Sequence, residues 1–83
     1  MNDTYEVLVE VYDTEEQEVL GYSLITYYSR SDLDLADAKA AATEQALKIG
    51  QGKDLMLEMR ITKNGKYFDS DNAYISKEGE WVI

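Results

Sequence analysis

Residues 4–12, TYEVLVEVY, alternate strictly, with Tyr5, Val7, Val9 and Val11 on one side and Glu6, Leu8, Glu10 and Tyr12 on the other. Successive strand residues point to opposite faces, so this period of two predicts a half-buried strand whose odd-numbered face is the core face. Such a strand demands a cover for its apolar side, which restricts the chain to layered architectures containing a sheet. The polar run DTEEQE follows. After it, VLGYSLITYYS is rich in β-branched and aromatic residues that suit a pleated surface. The two apolar runs predict an antiparallel hairpin across an acidic loop. In the second run Leu20, Tyr22 and Leu24 compete with Val19, Ile25 and Tyr27 for the inner face, and Gly21 marks a candidate bulge.

The cover for the sheet is the segment LADAKAAATEQALKI. It contains no helix breaker, and a helix is predicted over Leu35–Ile49. Asp34 is the expected N-cap, Asp37 suits the positive end of the helix dipole, and Lys48 suits the last turn. Gly50 is expected in the left-handed position that often ends a helix. Leu35, Ala38, Ala42, Ala46 and Ile49 form the predicted core stripe. A second column, Ala36, Ala40 and Leu47, is expected at a sheet edge or under a loop. It is alternatively a contact for a partner or a second copy of the chain.

Leu55, Leu57, Met59 and Ile61 alternate with Met56, Glu58, Arg60 and Thr62, which predicts another half-buried strand. Asn64-Gly65 then gives a strong hairpin signal, because both residues tolerate positive φ. A two-residue loop there sets Ile61 opposite Phe68. DSDN at 69–72 is expected to interrupt the pairing, which AYIS and WVI resume around Glu78-Gly79, with Lys77 opposite Glu80. The whole reads as a single α+β domain over residues 1–83. Its order is β-β-α-β-β, with one helix packed on one face of a four- or five-stranded antiparallel sheet.

Composition narrows the chemistry. The 83 residues include no histidine and no cysteine, so the most common general acid/base and metal ligand is missing, nucleophilic catalysis would rest on Ser, Thr, Lys or a carboxylate without an obvious activating partner, and no disulfide framework is available. Asp69, Asp71 and Glu80 fall at positions 1, 3 and 12 of a calcium loop. Ala73 and Tyr74 stand where a ligand and the turn glycine belong, so the segment reads as polar loop or bulge. A non-enzymatic protein without cofactor or metal is expected. The acidic N-terminus and the lack of a long apolar run predict a soluble, cytoplasmic chain.

Charge is the strongest functional signal. Residues 1–37 carry ten acids against Arg30 alone, whereas residues 38–83 balance seven acids with seven bases, so the net charge of −9 comes from the first hairpin and the start of the helix. Direct binding to nucleic acid is disfavoured, because phosphates need cations. A solvated acidic face would serve solubility alone. The one-sided arrangement stores self-repulsion that interspersed bases would have relieved, and it points to a basic partner. Glu6, Glu10, Tyr12, Asp13, Glu15, Glu16, Glu18, Asp32 and Asp34 are the candidate partner-binding residues, with Leu8 and Tyr22 beside them.

The order hairpin, helix, hairpin and the ending NAYISKEGEWVI resemble small phage or mobile-element proteins, in particular type I anti-CRISPR proteins. The local likeness is an AY, K, G, W, V pattern over the last third of the chain. That resemblance implies a compact, non-enzymatic inhibitor of a nucleic-acid-binding defence complex, such as a CRISPR effector, in the host cytoplasm. It transfers no contact residue. Other readings are an acidic DNA mimic that inhibits a repair or restriction enzyme, and an interaction domain, which a homodimer would satisfy, without an antagonistic role.

Overall fold

The computed structural model describes residues 2–82. Strand β1 (Asp3–Asp13) and strand β2 (Glu18–Ser29) form the first hairpin. Helix α1 (Leu35–Ile49) follows, and strands β3 (Leu55–Lys63), β4 (Lys66–Ile75) and β5 (Trp81–Val82) complete one antiparallel sheet. The strand order is β2-β1-β3-β4-β5. The long first hairpin gives the molecule extents of 43 × 20 × 19 Å.

The inner face follows the alternation. Tyr5, Val7, Val9 and Val11 of β1 and Leu55, Leu57, Met59 and Ile61 of β3 are buried beneath the helix, which contributes Ala38, Ala42 and Ala46. Alanine leaves no long side chain between helix and sheet, so the backbones approach closely. Asp34 caps the helix as expected. Its side chain accepts from the Ala36 amide at 2.9 Å and its carbonyl from the Ala38 amide at 3.0 Å. Leu35 departs from expectation. It is exposed in the first turn, and Leu33, just before the cap, packs against the core in its place.

Gly50 is also not left-handed. Its φ is −119°, and a Cβ there would lie 2.5 Å from Leu55 Cδ2 and 3.0 Å from Leu20 Cδ1, so any larger residue would force these leucine side chains to shift. The left-handed glycine of that loop is Gly52, at φ 78°. Thr43, buried beside the alanines, donates to the Lys39 carbonyl at 2.7 Å and accepts from Trp81 Nε1 at 2.9 Å. The short last strand is thereby fastened to the helix. Leu47, from the second helical column, packs near Gly79 of the final turn, while Ala36 and Ala40 are exposed.

Two bulges set the outward register. Val11 pairs with Gly21 but Tyr12 with Val19, so Leu20 is the extra residue beside Gly21. This divides both sequence-based alternatives, since Leu20, Ile25 and Tyr27 pack against the core while Val19, Tyr22 and Leu24 face outward. In the second hairpin, Asn64 and Gly65 have φ of 53° and 82° and form the expected tight turn. Ile61, however, pairs with Asp69 and Thr62 with Tyr67, leaving Phe68 as the bulged residue. The inserted residue explains why Phe68 does not oppose Ile61. Pairing then continues through Asp69–Asn72 without the expected interruption. The last turn pairs Ser76 with Glu80 through the Ser76 amide and the Glu80 carbonyl at 2.8 Å, so Lys77 does not oppose Glu80.

Ala42→Glu places an unpaired carboxylate under the helix and should destabilise the domain by about 3–5 kcal/mol, whereas exposed Glu44→Ala should stay within about 0.5 kcal/mol of the parent. Denaturant titration of both variants checks this, and equal midpoints would contradict the assigned helix face.

Candidate partner-binding surface

The helix covers one face of the sheet, and the residues of opposite parity make up the other. The register arranges this second face in rows. Glu6 lies between Thr26 and Thr62, and Leu8 between Leu24 and Arg60. Glu10 lies between Tyr22 and Glu58, and Tyr12 between Val19 and Met56. The third and fourth strands continue the rows with Thr62–Tyr67, Arg60–Ser70, Glu58–Asn72 and Met56–Tyr74. A shallow concavity of about 550 Å³ lies across β1, β3 and β4, lined in part by Leu8, Glu10, Glu58, Arg60 and Tyr67. Exposed apolar and aromatic side chains flank the acids, among them Leu8 at 41%, Leu24 at 58% and Tyr22 at 60% exposure.

The nine sequence-derived candidates divide into two groups. Asp13 is buried and holds the hairpin tip together. Its Oδ1 accepts from the Glu15 and Glu16 amides at 2.9 and 3.2 Å, and its Oδ2 pairs with Lys53 at 3.1 Å. The Lys53 ammonium, then these amides, hold the Asp13 carboxyl below its ordinary value. Asp32 lies near the other end of β1. It accepts from the Tyr5 hydroxyl at 3.2 Å and pairs with Lys63 at 3.2 Å. Asp34 is occupied as the helix cap. These three aspartates are engaged within the fold.

Glu6, Glu10, Glu15, Glu16 and Glu18 form the second group, with Tyr12 beside Glu10 on the outer face. None of these glutamates takes part in an ion pair among the described residues. The pairs present are Lys39–Asp71, Lys53–Asp13, Lys63–Asp3 and Lys63–Asp32. Glu6 and Glu10 project from the helix-free face, and Glu15, Glu16 and Glu18 are exposed at the tip.

Glu58 joins them although its own half of the sequence is charge-balanced. It stands directly across from Glu10, where like charges oppose each other. The alternation of residues 55–62 puts Glu58 on the outer face, but only the pairing of β1 with β3, which local sequence does not reveal, brings it to Glu10. Arg60 is the one base that this register places among the outer-face acids.

No group of acidic side chains among the described residues is arranged to hold a metal ion. No described helix is long and apolar enough to cross a membrane. Comparison with protein-family models, with curated proteins and with solved structures returns no match. The chemistry of the surface is therefore read from its geometry and charge.

Two variants probe the division between structural and surface acids. Because the folded Asp13 carboxyl ionises below its ordinary value near 4, its charge contributes stability that is complete above that value and is lost as pH falls through the folded value. Asp13→Asn should therefore melt below the parent at neutral pH, with the gap closing only under about pH 4. Glu58→Lys should do the opposite at neutral pH, raising stability by about 0.2–1 kcal/mol through relief of the Glu10 repulsion. Calorimetry across pH checks both, and a destabilised Glu58→Lys would contradict the opposed-carboxylate geometry.

Proposed function

We propose that the protein is a non-enzymatic inhibitor that blocks the basic nucleic-acid site of a host defence complex with the glutamates of its open sheet face and hairpin tip. The observation that carries this reading is the set of glutamates without ion-pair partners among the described residues, Glu6, Glu10, Glu15, Glu16, Glu18 and Glu58, grouped on surfaces that the helix leaves free. Glu10 and Glu58 face each other at a cross-strand separation of about 5 Å between Cα atoms. Glu6 lies about 13 Å along the strand from Glu10. Acids held at such intervals can meet the Lys and Arg side chains that otherwise bind phosphates, through charge-assisted hydrogen bonds.

Opposed carboxylates cost stability in the free protein. A basic partner removes that cost on binding, so part of the repulsion becomes binding energy. Long-range attraction speeds encounter, while burial of Leu8, Tyr12 and Tyr22 slows dissociation. Inhibition on this reading is stoichiometric, acts in the host cytoplasm and consumes no substrate. The resemblance of the final hairpin to type I anti-CRISPR proteins favours a CRISPR effector as the target over a repair or restriction enzyme, which the same acidic surface would also suit.

The test uses nuclease-treated host lysate passed over immobilised parent protein and over the triple variant Glu15→Lys, Glu16→Lys, Glu18→Lys, whose exposed positions should leave the circular dichroism unchanged. The parent should retain a nucleic-acid-binding protein or complex that the variant loses. Retention should fall steeply with salt, and added nucleic acid should displace the partner. In a titration of the isolated partner, inhibition should saturate at a fixed molar ratio and should not grow with time. Equal retention by the variant, or a partner that still takes up nucleic acid at saturation, would overturn the reading.

A further inference from the structure

We propose that Asn64 is a site of spontaneous deamidation, held in check by a hydrogen-bonded clasp to the start of β1. This inference is independent of the inhibitor reading, since Asn64 bonds Thr4 at the opposite end of β1 from the acidic hairpin tip.

Sequence singles out the residue. An asparagine carboxamide is chemically labile, and the group that attacks it is the main-chain nitrogen of the next residue. A side chain on that residue shields the nitrogen. Of Asn2, Asn64 and Asn72, only Asn64 precedes a glycine. A Cβ built on Gly65 would meet nothing within 4 Å, and both turn residues are exposed, so water and hydroxide reach the site freely.

The fold opposes this reactivity. The Thr4 amide donates to Asn64 Oδ1 at 2.9 Å, and Asn64 Nδ2 donates to Asp3 Oδ1 at 3.0 Å. The Asn64 amide adds a bond to the Thr4 carbonyl at 2.7 Å. Both ends of the carboxamide are thus tied to β1, and ring closure onto Gly65 requires their release. The acceptor is itself secured. The Asn64 amide, and then the Lys63 ammonium at 3.7 Å, hold the Asp3 carboxyl below its ordinary value, so it is charged at neutral pH and its bond is strengthened. The clasp lies just beyond Tyr5–Lys63, the last rung between β1 and β3, and strand ends of this kind open at low cost in free energy.

When the clasp opens, solvent base takes the Gly65 amide proton and the nitrogen bonds to Asn64 Cγ. The Cγ–Nδ2 bond then breaks, and the nitrogen leaves as ammonia with a proton from water. The cyclic imide adds one water at either carbonyl carbon and reopens as aspartate or isoaspartate. Nothing is oxidised or reduced. Either product lacks the Nδ2 donor and sets a new carboxylate beside Asp3, so the clasp does not re-form as it was. Isoaspartate also lengthens the main chain within a two-residue turn. Because the step is one-way, the modified fraction records the time that the clasp has spent open.

Peptide mapping by mass spectrometry after incubation of the full chain in mildly alkaline buffer tests the proposal, with Asn72, which precedes alanine, as internal reference. Position 64 should convert in the urea-unfolded chain, and in the folded parent more slowly by about tenfold or more, equivalent to an opening free energy of 1.4 kcal/mol. Gly65→Ala should suppress conversion in urea. Asp3→Ala should speed conversion of the folded protein severalfold, whereas Asp3→Asn, which keeps an oxygen to accept from Asn64, should stay near the parent and so separates the hydrogen bond from the charge. Below the unfolding transition the parent's rate should depend little on urea, because opening the clasp exposes little surface. Circular dichroism confirms that each variant is folded. A position 64 that is stable in urea, equal rates in the folded and unfolded parent, an Asp3→Ala protein no faster than the parent, or an Asp3→Asn protein as fast as Asp3→Ala would each overturn the proposal. A steep urea dependence below the transition would overturn it too, since conversion would then require global unfolding.

Discussion

The close approach of an alanine-lined helix to β1 determines how the rest of the molecule is arranged. Ala38, Ala42 and Ala46 press on a strand whose inner side chains are fully buried, and β1 is flanked by β2 and β3. A helix bearing large residues in that stripe would stand farther off and leave voids that a domain this small could not tolerate. One helix can cover only one face of the sheet. Closing the inner face so tightly leaves the outer face uncovered, and its polarity is set by the residues between the core positions.

Much of this was legible in the sequence because the signals are local. The alternation of Tyr5 to Val11 and of Leu55 to Ile61, the Asp34 cap and the Asn64-Gly65 turn each follow from a few adjacent residues, and the structure places them as expected. What local signals miss depends on two segments at once. Leu20 and Phe68 become bulges only because a particular partner strand lies opposite. Gly50 looks like a left-handed helix terminator, but what sets it apart is the crowding of its site by Leu55 and Leu20. Glu58 reaches the candidate surface through strand order, which no periodicity encodes.

The acids divide by side-chain length. Aspartate is short enough to reach nearby backbone amides, and Asp13 and Asp34 use that reach to close a turn and cap a helix. Asp54 ties three loops together. Its carbonyl accepts from the Thr14 amide and hydroxyl, and its carboxylate accepts from the Lys77 amide at 2.9 Å. At the opposite end Asn64 bonds Thr4 and Asp3, and Lys63 lies near the Tyr5 and Phe68 rings at 5.7 and 5.9 Å. Counting carboxylates along the chain therefore overstated the acidic surface in some places and understated it in others. Asp13 belongs to the framework, while Glu58 belongs with Glu10.

Trp81 gives the fastening of the last strand an optical consequence. It is the only tryptophan, sits half-exposed in a two-residue strand, donates to Thr43 and lies 5.3 Å from the Lys39 ammonium. Its indole is thus in contact with the helix and away from the valines of the central strand. Intrinsic emission from this chain reports whether the C-terminal strand is seated on the helix, and a spectral change can precede loss of the sheet. Fluorescence and far-ultraviolet dichroism therefore follow different events in the same molecule, and any lag between them measures how tightly the final hairpin is coupled to the fold.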